Sequence, residues 1–223
     1  ISEKAAIMTI EENAEEQISN AELKLYNIAD KGNETTGFTH LVSASREAIE
    51  IANKAYQKQG GISGISTGLI DLDKKLGGLH SSDLLIIAGR PSMGKTSLAT
   101  NMAFSIANSF KTKENEDGSR TLLNGGIVGF FSLEMSSAQL ATRILSENSK
   151  VPSDKIRKGD LSEQDFRNFI EAAQSLDQCP LYIDDTAALS ISALAGRARR
   201  LKRMYGLDVL FVDYLQLIRP SNN

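Results

Sequence analysis

The sequence predicts an α/β fold: a mostly parallel sheet flanked by helices and preceded by a helical segment. Three observations carry this. From residue 61 onward, apolar runs of strand length alternate with segments of helical spacing, the order that lays parallel strands beneath crossover helices. Those runs are near-continuous in Val, Ile, Leu and Phe, as in strands buried on both faces. One of them passes through a glycine-bearing stretch, GRPSMGKTS at 89–97, straight into a helix.

The first element expected is a helix over 9–30, opened by the capping box Thr9-x-x-Glu12 and carrying Ile10, Ala14, Ala21, Leu25 and Ile28 on one side. DKGNETTG ends it with turn formers. A second helix is expected over 41–57, with Leu41, Ala44, Ala48, Ile51 and Ala55 at three- and four-residue steps, and GGISGISTG closes it. Standing alone between two glycine-bearing linkers, it must lay that stripe on something. Its own domain and a groove on a neighbouring subunit serve equally well. The chain thus divides into 1–35, a helical segment, 36–60, the linker-helix region, and 61–223, the α/β domain.

Within that domain DLLIIAG predicts a strand over 84–88, and Leu98, Met102, Ile106 and Phe110 predict a helix over 96–110. KTKENEDGSRTLLNGG reads as a polar surface loop. Further strands are expected over 126–132, 181–183 and 207–212. Helices are expected over 136–148 with the box Ser136-x-x-Gln139, over 162–177 with the box Ser162-x-x-Asp165, and over 190–204. There is no internal repeat.

Composition narrows the function. The 223 residues hold 25 Lys and Arg against 28 Asp and Glu, net −3, which argues against a uniformly basic nucleic-acid coat. Residues 1–34 carry eight acids and three lysines, so the acidic excess sits there and the remaining 189 residues are near neutral. One cysteine, Cys179, and two separated histidines, His40 and His80, leave no disulfide framework and no His/Cys zinc set. No stretch has the length of a membrane span and the acidic start is no signal peptide, so no membrane partner is expected and cytoplasm is the default compartment. The chain begins at Ile1 and ends in RPSNN directly after an apolar run, so both ends are expected to be cuts in a longer protein.

The chemistry begins at 89–97. A strand feeding a helix through glycines can turn backbone N–H groups inward beside the positive end of the helix, which makes a phosphate site. The nucleotide-binding candidates are therefore Gly89, Arg90, Pro91, Ser92, Met93, Gly94, Lys95, Thr96 and Ser97. Gly89 and Gly94 are expected to supply the conformations, Lys95 to reach the β- and γ-phosphates of ATP, and Thr96 to offer its hydroxyl to Mg²⁺. A glycine turn with an exposed lysine is the rival reading.

Hydrolysis also needs an acid to hold the metal and a group to position water. Asp213 ends LDVLFVD, where a carboxylate emerges from the carboxyl end of a strand, and is the second Mg²⁺ candidate. It could instead be a simple strand cap. Glu134 follows the strand at 126–132 and precedes a capped helix, placing it on the rim where ligands bind in open α/β sheets. It is the candidate proton acceptor, with a helix-start charge as its rival role. Gln216 either senses the phosphate end or is a buried amide with backbone partners. Asp184 and Asp185 read as turn and cap residues. Arg197, Arg199, Arg200, Lys202 and Arg203 invite a nucleic-acid reading, yet they surround a helix whose core stripe is expected to be Ile191, Leu194, Ala198 and Leu201. Solvated surface or a subunit contact fits them as well.

Together GISTGLIDLDKKLGGLHSSDLLIIAGRPSMGKTSLATNMA, FFSLEMSSAQLATRIL and DVLFVDYLQLI resemble the bacterial replicative DNA helicases of the DnaB type, within the RecA-like P-loop ATPases. The resemblance covers nearly the whole chain. It implies a RecA-like core, and a ring hexamer that hydrolyses ATP at subunit interfaces while moving 5′ to 3′ on single-stranded DNA. It makes Glu134 the matching position for the catalytic acid. Residues 1–35 become the end of a helical N-terminal domain, the helix at 41–57 a linker helix docking on the adjacent subunit, and 61–223 the first part of the ATPase domain. It also implies primase and a helicase loader as partners. The family continues past the equivalent of Arg219 with DNA-facing loops and an arginine finger, so the main DNA contacts are expected outside this stretch, which alone should turn ATP over poorly. Two alternatives stay open: a recombination-type RecA-like ATPase, which would lack the linker helix, and a nucleotide-gated docking subunit without motor activity.

Overall fold

The computed structural model describes residues 21, 40–57, 62–115 and 120–219. The helix expected over 9–30 lies outside these, apart from Ala21, which is helical. The first complete element is α1, Leu41–Gln57, as predicted. Leu41, Ala44 and Ala48 of its expected stripe are exposed, as are Ile49 and Tyr56. The stripe is thus not covered by the chain's own domain at these positions.

The lead-in to the α/β domain is a compact turn built on one carboxylate. Ile65 and Leu79 form an antiparallel bridge around the short helix α2, Ile70–Leu76. Asp73, 3% exposed, accepts hydrogen bonds from Ser66 Oγ (2.6 Å), Thr67 N (2.8 Å) and Thr67 Oγ1 (2.7 Å). Burial pushes its carboxyl up, but the bonds from Ser66, Thr67 and Gly68 outweigh that and hold it below the usual range. Gly78 sits at φ 89°, where a Cβ would meet the carbonyl carbon of Gly64 at 2.8 Å, so only glycine lets the two arms of the turn approach.

Next come α3 (Lys95–Asn108), β1 (Lys111–Glu114), β2 (Arg120–Asn124) and β3 (Val128–Ser132). They are followed by α4 (Ser137–Ser149), α5 (Ser153–Lys158), α6 (Glu163–Ser175), β4 (Leu181–Asp184), α7 (Ile191–Tyr205), β5 (Val209–Asp213) and a 3-10 turn, Leu215–Leu217. The strands β4, β3 and β5 form a parallel sheet in that order. Central β3 is buried throughout, which explains its unbroken apolar run. On one face Val128 and Phe130 pack with Ala103, Ile106 and Ala107 of α3 and Leu140 of α4. On the other, Phe131 and Leu133 pack with Leu189 and Leu194. Each fully buried aliphatic side chain here contributes about 1.5–3 kcal/mol. Phe130 stacks on its cross-strand neighbour Phe211 with centroids 5.7 Å apart. Gly129 faces α7, and a Cβ there would lie 2.9 Å from Leu201 Cδ2, so that the end of this leucine side chain would have to shift. No helix among the described residues is long and apolar enough to cross a membrane.

The structure departs from expectation in four places. Residues 84–88 form no strand, and Leu84 and Ile86 are 86% and 68% exposed. An apolar run shows that a segment fits a pleated surface, whereas pairing is a tertiary event that needs an edge alongside. Part of the expected polar loop is an antiparallel hairpin, β1 against β2. Its strands, KTKE and RTLLN, lack the apolar alternation by which a strand is read, so composition hid the pairing. Two short helices, α2 and α5, stop at left-handed Gly77 and Gly159, terminators that were legible but followed too little periodicity to read. Along α7, Leu194 is buried and Ala198 and Leu201 half-buried, but Ile191 at its first position is exposed.

Candidate functional site

The glycine loop ends where α3 begins. Gly94 is the N-cap in the left-handed region, φ 85°, ψ 19°. A Cβ there would touch nothing within 4 Å, so the demand is conformational, not spatial. Ser92 is also left-handed at φ 64°. Gly89 is not, and a Cβ on it would make only an ordinary 3.6 Å contact with Lys95 Cγ. The expectation that Gly89 supplies conformational freedom is therefore corrected: Ser92 and Gly94 do. Lys95 Nζ donates to the carbonyls of Gly89 (3.0 Å) and Arg90 (3.2 Å), drawing the loop over the helix start. Arg90, Pro91, Ser92 and Met93 are exposed, and Lys95, Thr96 and Ser97 are half-buried. The N–H groups of the first turn of α3 have no partner of their own within the helix, which leaves them available to an anion.

The two acids stand on neighbouring strands. Ser132 at the end of β3 pairs in register with Asp213 at the end of β5. One residue further on, Leu133 N donates to Asp213 O at 2.8 Å. Asp213 is 7% exposed and its Oδ2 is buried with no hydrogen-bond partner. A simple strand cap would use that oxygen. A buried acceptor left open costs about 1–3 kcal/mol, or more for a charged group, a cost that a water or a hydrated cation would relieve. Among the described residues no three His, Cys, Asp or Glu side chains gather into a cation cage. The residues fit an ion that takes little from the protein and keeps its waters, with Thr96 and Asp213 as the candidate holders.

Glu134 lies in the bend after β3, exposed, two residues before the N-cap of α4. The helix start is served by others. Ser136 and Gln139 form the predicted capping box, and Ser137 N donates to Asp185 Oδ2 at 2.7 Å. There is no acid in the first turn of α4. The acid that bonds to the helix start is Asp185, whose carboxyl the Ser137 bonds hold below the usual range.

Asp184 accepts from Arg197 Nη1 (2.8 Å to Oδ2, 3.1 Å to Oδ1) and from Thr186 N (3.0 Å). Burial raises its carboxyl, and these partners together bring it below the usual range. The acid pair is turn and cap chemistry, as read. Arg197 is consequently committed to the sheet rim and drops out of the basic cluster. Gln216, in the 3-10 turn, is exposed, which corrects the buried-amide alternative: the turn carries residue 216 outward as Leu217 packs inward. Sequence reasoning missed the Arg197–Asp184 pair, the hub at Asp73, and buried Ser132, whose Oγ donates to Met135 O at 2.6 Å.

Comparison with known proteins fits this geometry. Residues 64–223 match the model of the DnaB-like helicase C terminal domain. The chain is 47% identical over 211 residues to the replicative DNA helicase DnaB of Rickettsia conorii, covering 95% of this chain and 42% of that one. It is 34% identical over 213 residues to the replicative DNA helicase DnaC of Bacillus subtilis, covering 96% and 44%. It therefore spans about two fifths of the length of these relatives. Among solved structures, one ATPase domain superposes with a TM-score of 0.67 at 25% identity, over 80% of this chain and 59% of that one. A DnaB-like replicative helicase, solved in a study of its interactions with primase, superposes at 0.65 and 24% identity over 92% of this chain and 45% of its own, which bears on the fold alone.

Proposed function

Because this chain belongs to the DnaB-like helicase family, we propose that it is the ATP-hydrolysing part of a replicative DNA helicase that moves 5′ to 3′ on single-stranded DNA. The observation that carries the hydrolytic reading is the orphaned Asp213 carboxylate beside the Glu134 bend, on adjacent strand ends of a sheet against which α3 packs.

In this reading the backbone N–H groups at the start of α3 and the Lys95 ammonium bind the ATP phosphates. On nucleotide binding Lys95 leaves the Gly89 and Arg90 carbonyls for phosphate oxygens, exchanging neutral acceptors for charged ones. Mg²⁺ would supply neutralisation of the phosphate charge, and Thr96 and Asp213 are the residues that would hold it. Glu134 accepts the proton of the attacking water, and its exposure on the rim lets substrate water reach it. Gln216, on the turn after β5, is available to sense the phosphate end. Residues 36–60 act as the linker region, α1 docking its stripe on the next subunit of a homohexamer in the cytoplasm. The main single-stranded DNA contacts and the arginine finger are supplied from outside these residues, and primase and a loader are partners of the whole protein. The recombination-type alternative is disfavoured by the family match and by α1 preceding the core.

The test is Glu134→Gln in the whole protein, beside Lys95→Ala. The Gln variant should bind ATP normally and turn it over about 10²–10⁴-fold more slowly. Lys95→Ala should weaken nucleotide binding itself. Near-normal turnover in the Gln variant would remove Glu134 from the mechanism, and ATP binding without turnover in the unmodified whole protein would favour the docking subunit.

A further inference from the structure

The bend that carries Glu134 is held at every neighbouring position. Leu133 N is bonded to Asp213 O (2.8 Å), Met135 O to buried Ser132 Oγ (2.6 Å), and Ser136 N to Gln139 Oε1 (3.0 Å). Ser137 N is bonded to Asp185 Oδ2 (2.7 Å). Three of these four ties come from β3, α4 or β5. The fourth comes from the strand on the other side of β3, from the corner after β4, 48 residues away in sequence.

That corner is itself fixed. Arg197 of α7 donates to both oxygens of Asp184 and to Thr186 Oγ1 (2.7 Å), and Thr186 N closes back on Asp184 Oδ1. Asp185 therefore reaches α4 from a corner braced on both sides. The capping box serves the Ser136 and Gln139 N–H groups from within the helix, whereas Ser137 N is served from outside it, by Asp185.

We propose that Asp185 is a positioning residue for Glu134: bonded to Ser137 N and braced through Asp184 and Arg197, it sets where α4 begins and so where the Glu134 carboxylate stands over the rim. This rests on the reading of Glu134 as the proton acceptor. It adds that the acid's position is set from β4 and α7, not by its own loop alone. Displacing a reacting group by about 1 Å is enough to lower a rate on the order of 10²-fold, so an imperfectly seated α4 should show in turnover before it shows in folding.

The experiment uses the whole protein with Asp185→Ala, Asp185→Asn, Glu134→Gln and the Asp185→Ala/Glu134→Gln double variant. Single-turnover ATP hydrolysis, affinity for a fluorescent ATP analogue, and thermal midpoint are measured on each. Asp185→Ala should lower hydrolysis by about 10-fold to 10²-fold, with nucleotide affinity unchanged and the midpoint lowered by no more than the small amount that one lost helix-start bond costs. Asp185→Asn, whose amide oxygen can still accept from Ser137 N, should recover most of that loss. In the Glu134→Gln background the Ala change should have little further effect, because the group it positions is already disabled. Unchanged hydrolysis in Asp185→Ala would overturn the proposal. So would a matching loss of nucleotide affinity or thermal midpoint, a failure of Asn to rescue, or a full additional loss in the double variant. The Glu134→Gln variant alone judges the underlying reading: if it is near normal that reading fails, whereas an inert Asp185→Ala beside a crippled Glu134→Gln removes only the positioning role.

Discussion

Replacing Asp73 by Ala should destabilise the α/β domain by about 2–5 kcal/mol, and the structure shows why the value is large for a residue remote from the glycine loop. Asp73 accepts three hydrogen bonds at 2.6–2.8 Å, and Thr67, which donates two of them, is 0% exposed. Ala would leave the Thr67 N–H and hydroxyl buried without an acceptor, at about 1–3 kcal/mol each. Water entering the vacated volume would recover part of that. Ser66, at the edge of the turn, can find water and adds little. Asp73→Asn keeps an oxygen for Thr67 while Ser66 can rotate to accept from the amide, so it should cost only about 1–2 kcal/mol. The carboxyl is held below its ordinary value, so its contribution is complete above the unfolded pKa of about 3.9 and is lost as pH falls through the lower folded value. Urea unfolding at neutral pH and again near pH 3 measures both effects. In acid the wild-type domain should lose ground to the Ala variant, and the gap between them should narrow. An Ala variant within about 0.5 kcal/mol of wild type, or a gap that widens in acid, would refute the reasoning.

Two further outcomes are expected. Ala48→Glu places a charge on the α1 stripe that this chain leaves exposed, so residues 1–223 on their own should keep their stability while the assembled rings of the whole protein shift to smaller species in light scattering, because docking would bury that carboxylate unpaired. Residues 1–223 should bind labelled oligo-dT only weakly, with affinity falling steeply as salt rises. Arg197 is committed to Asp184, and Tyr205 is already stacked on Tyr182 at 4.8 Å, so α7 offers little for bases. Tight binding at physiological salt, abolished by changing Arg199 and Arg200 to Ala, would make α7 the DNA site.

What could be read in advance was what short stretches of chain decide for themselves. The capping boxes at Ser136 and Ser162 formed as written, because donor and acceptor lie three residues apart. The helix after the glycine loop and the carboxylate ending β5 were legible for the same reason. The strand at 84–88 was misread because its propensity is local and its pairing is not. The role of Glu134 shows the difference most sharply. Within its own segment an acid just before a helix is equally a helix-start charge and a rim carboxylate, and nothing nearby chooses. The choice is made by Asp185, delivered to Ser137 by a parallel crossover that the alternation of elements implied but whose register it did not. Once a second acid occupies the helix start, Glu134 is left without a structural task among the described contacts of its bend, while Asp213 on the adjacent strand is left with an oxygen that nothing in the fold satisfies. Asp213 at the end of β5 and Glu134, two residues past the end of β3, thus share one rim of the sheet, the placement that the proposed hydrolytic roles need. This is also why the Glu134 substitution should spare stability while removing turnover.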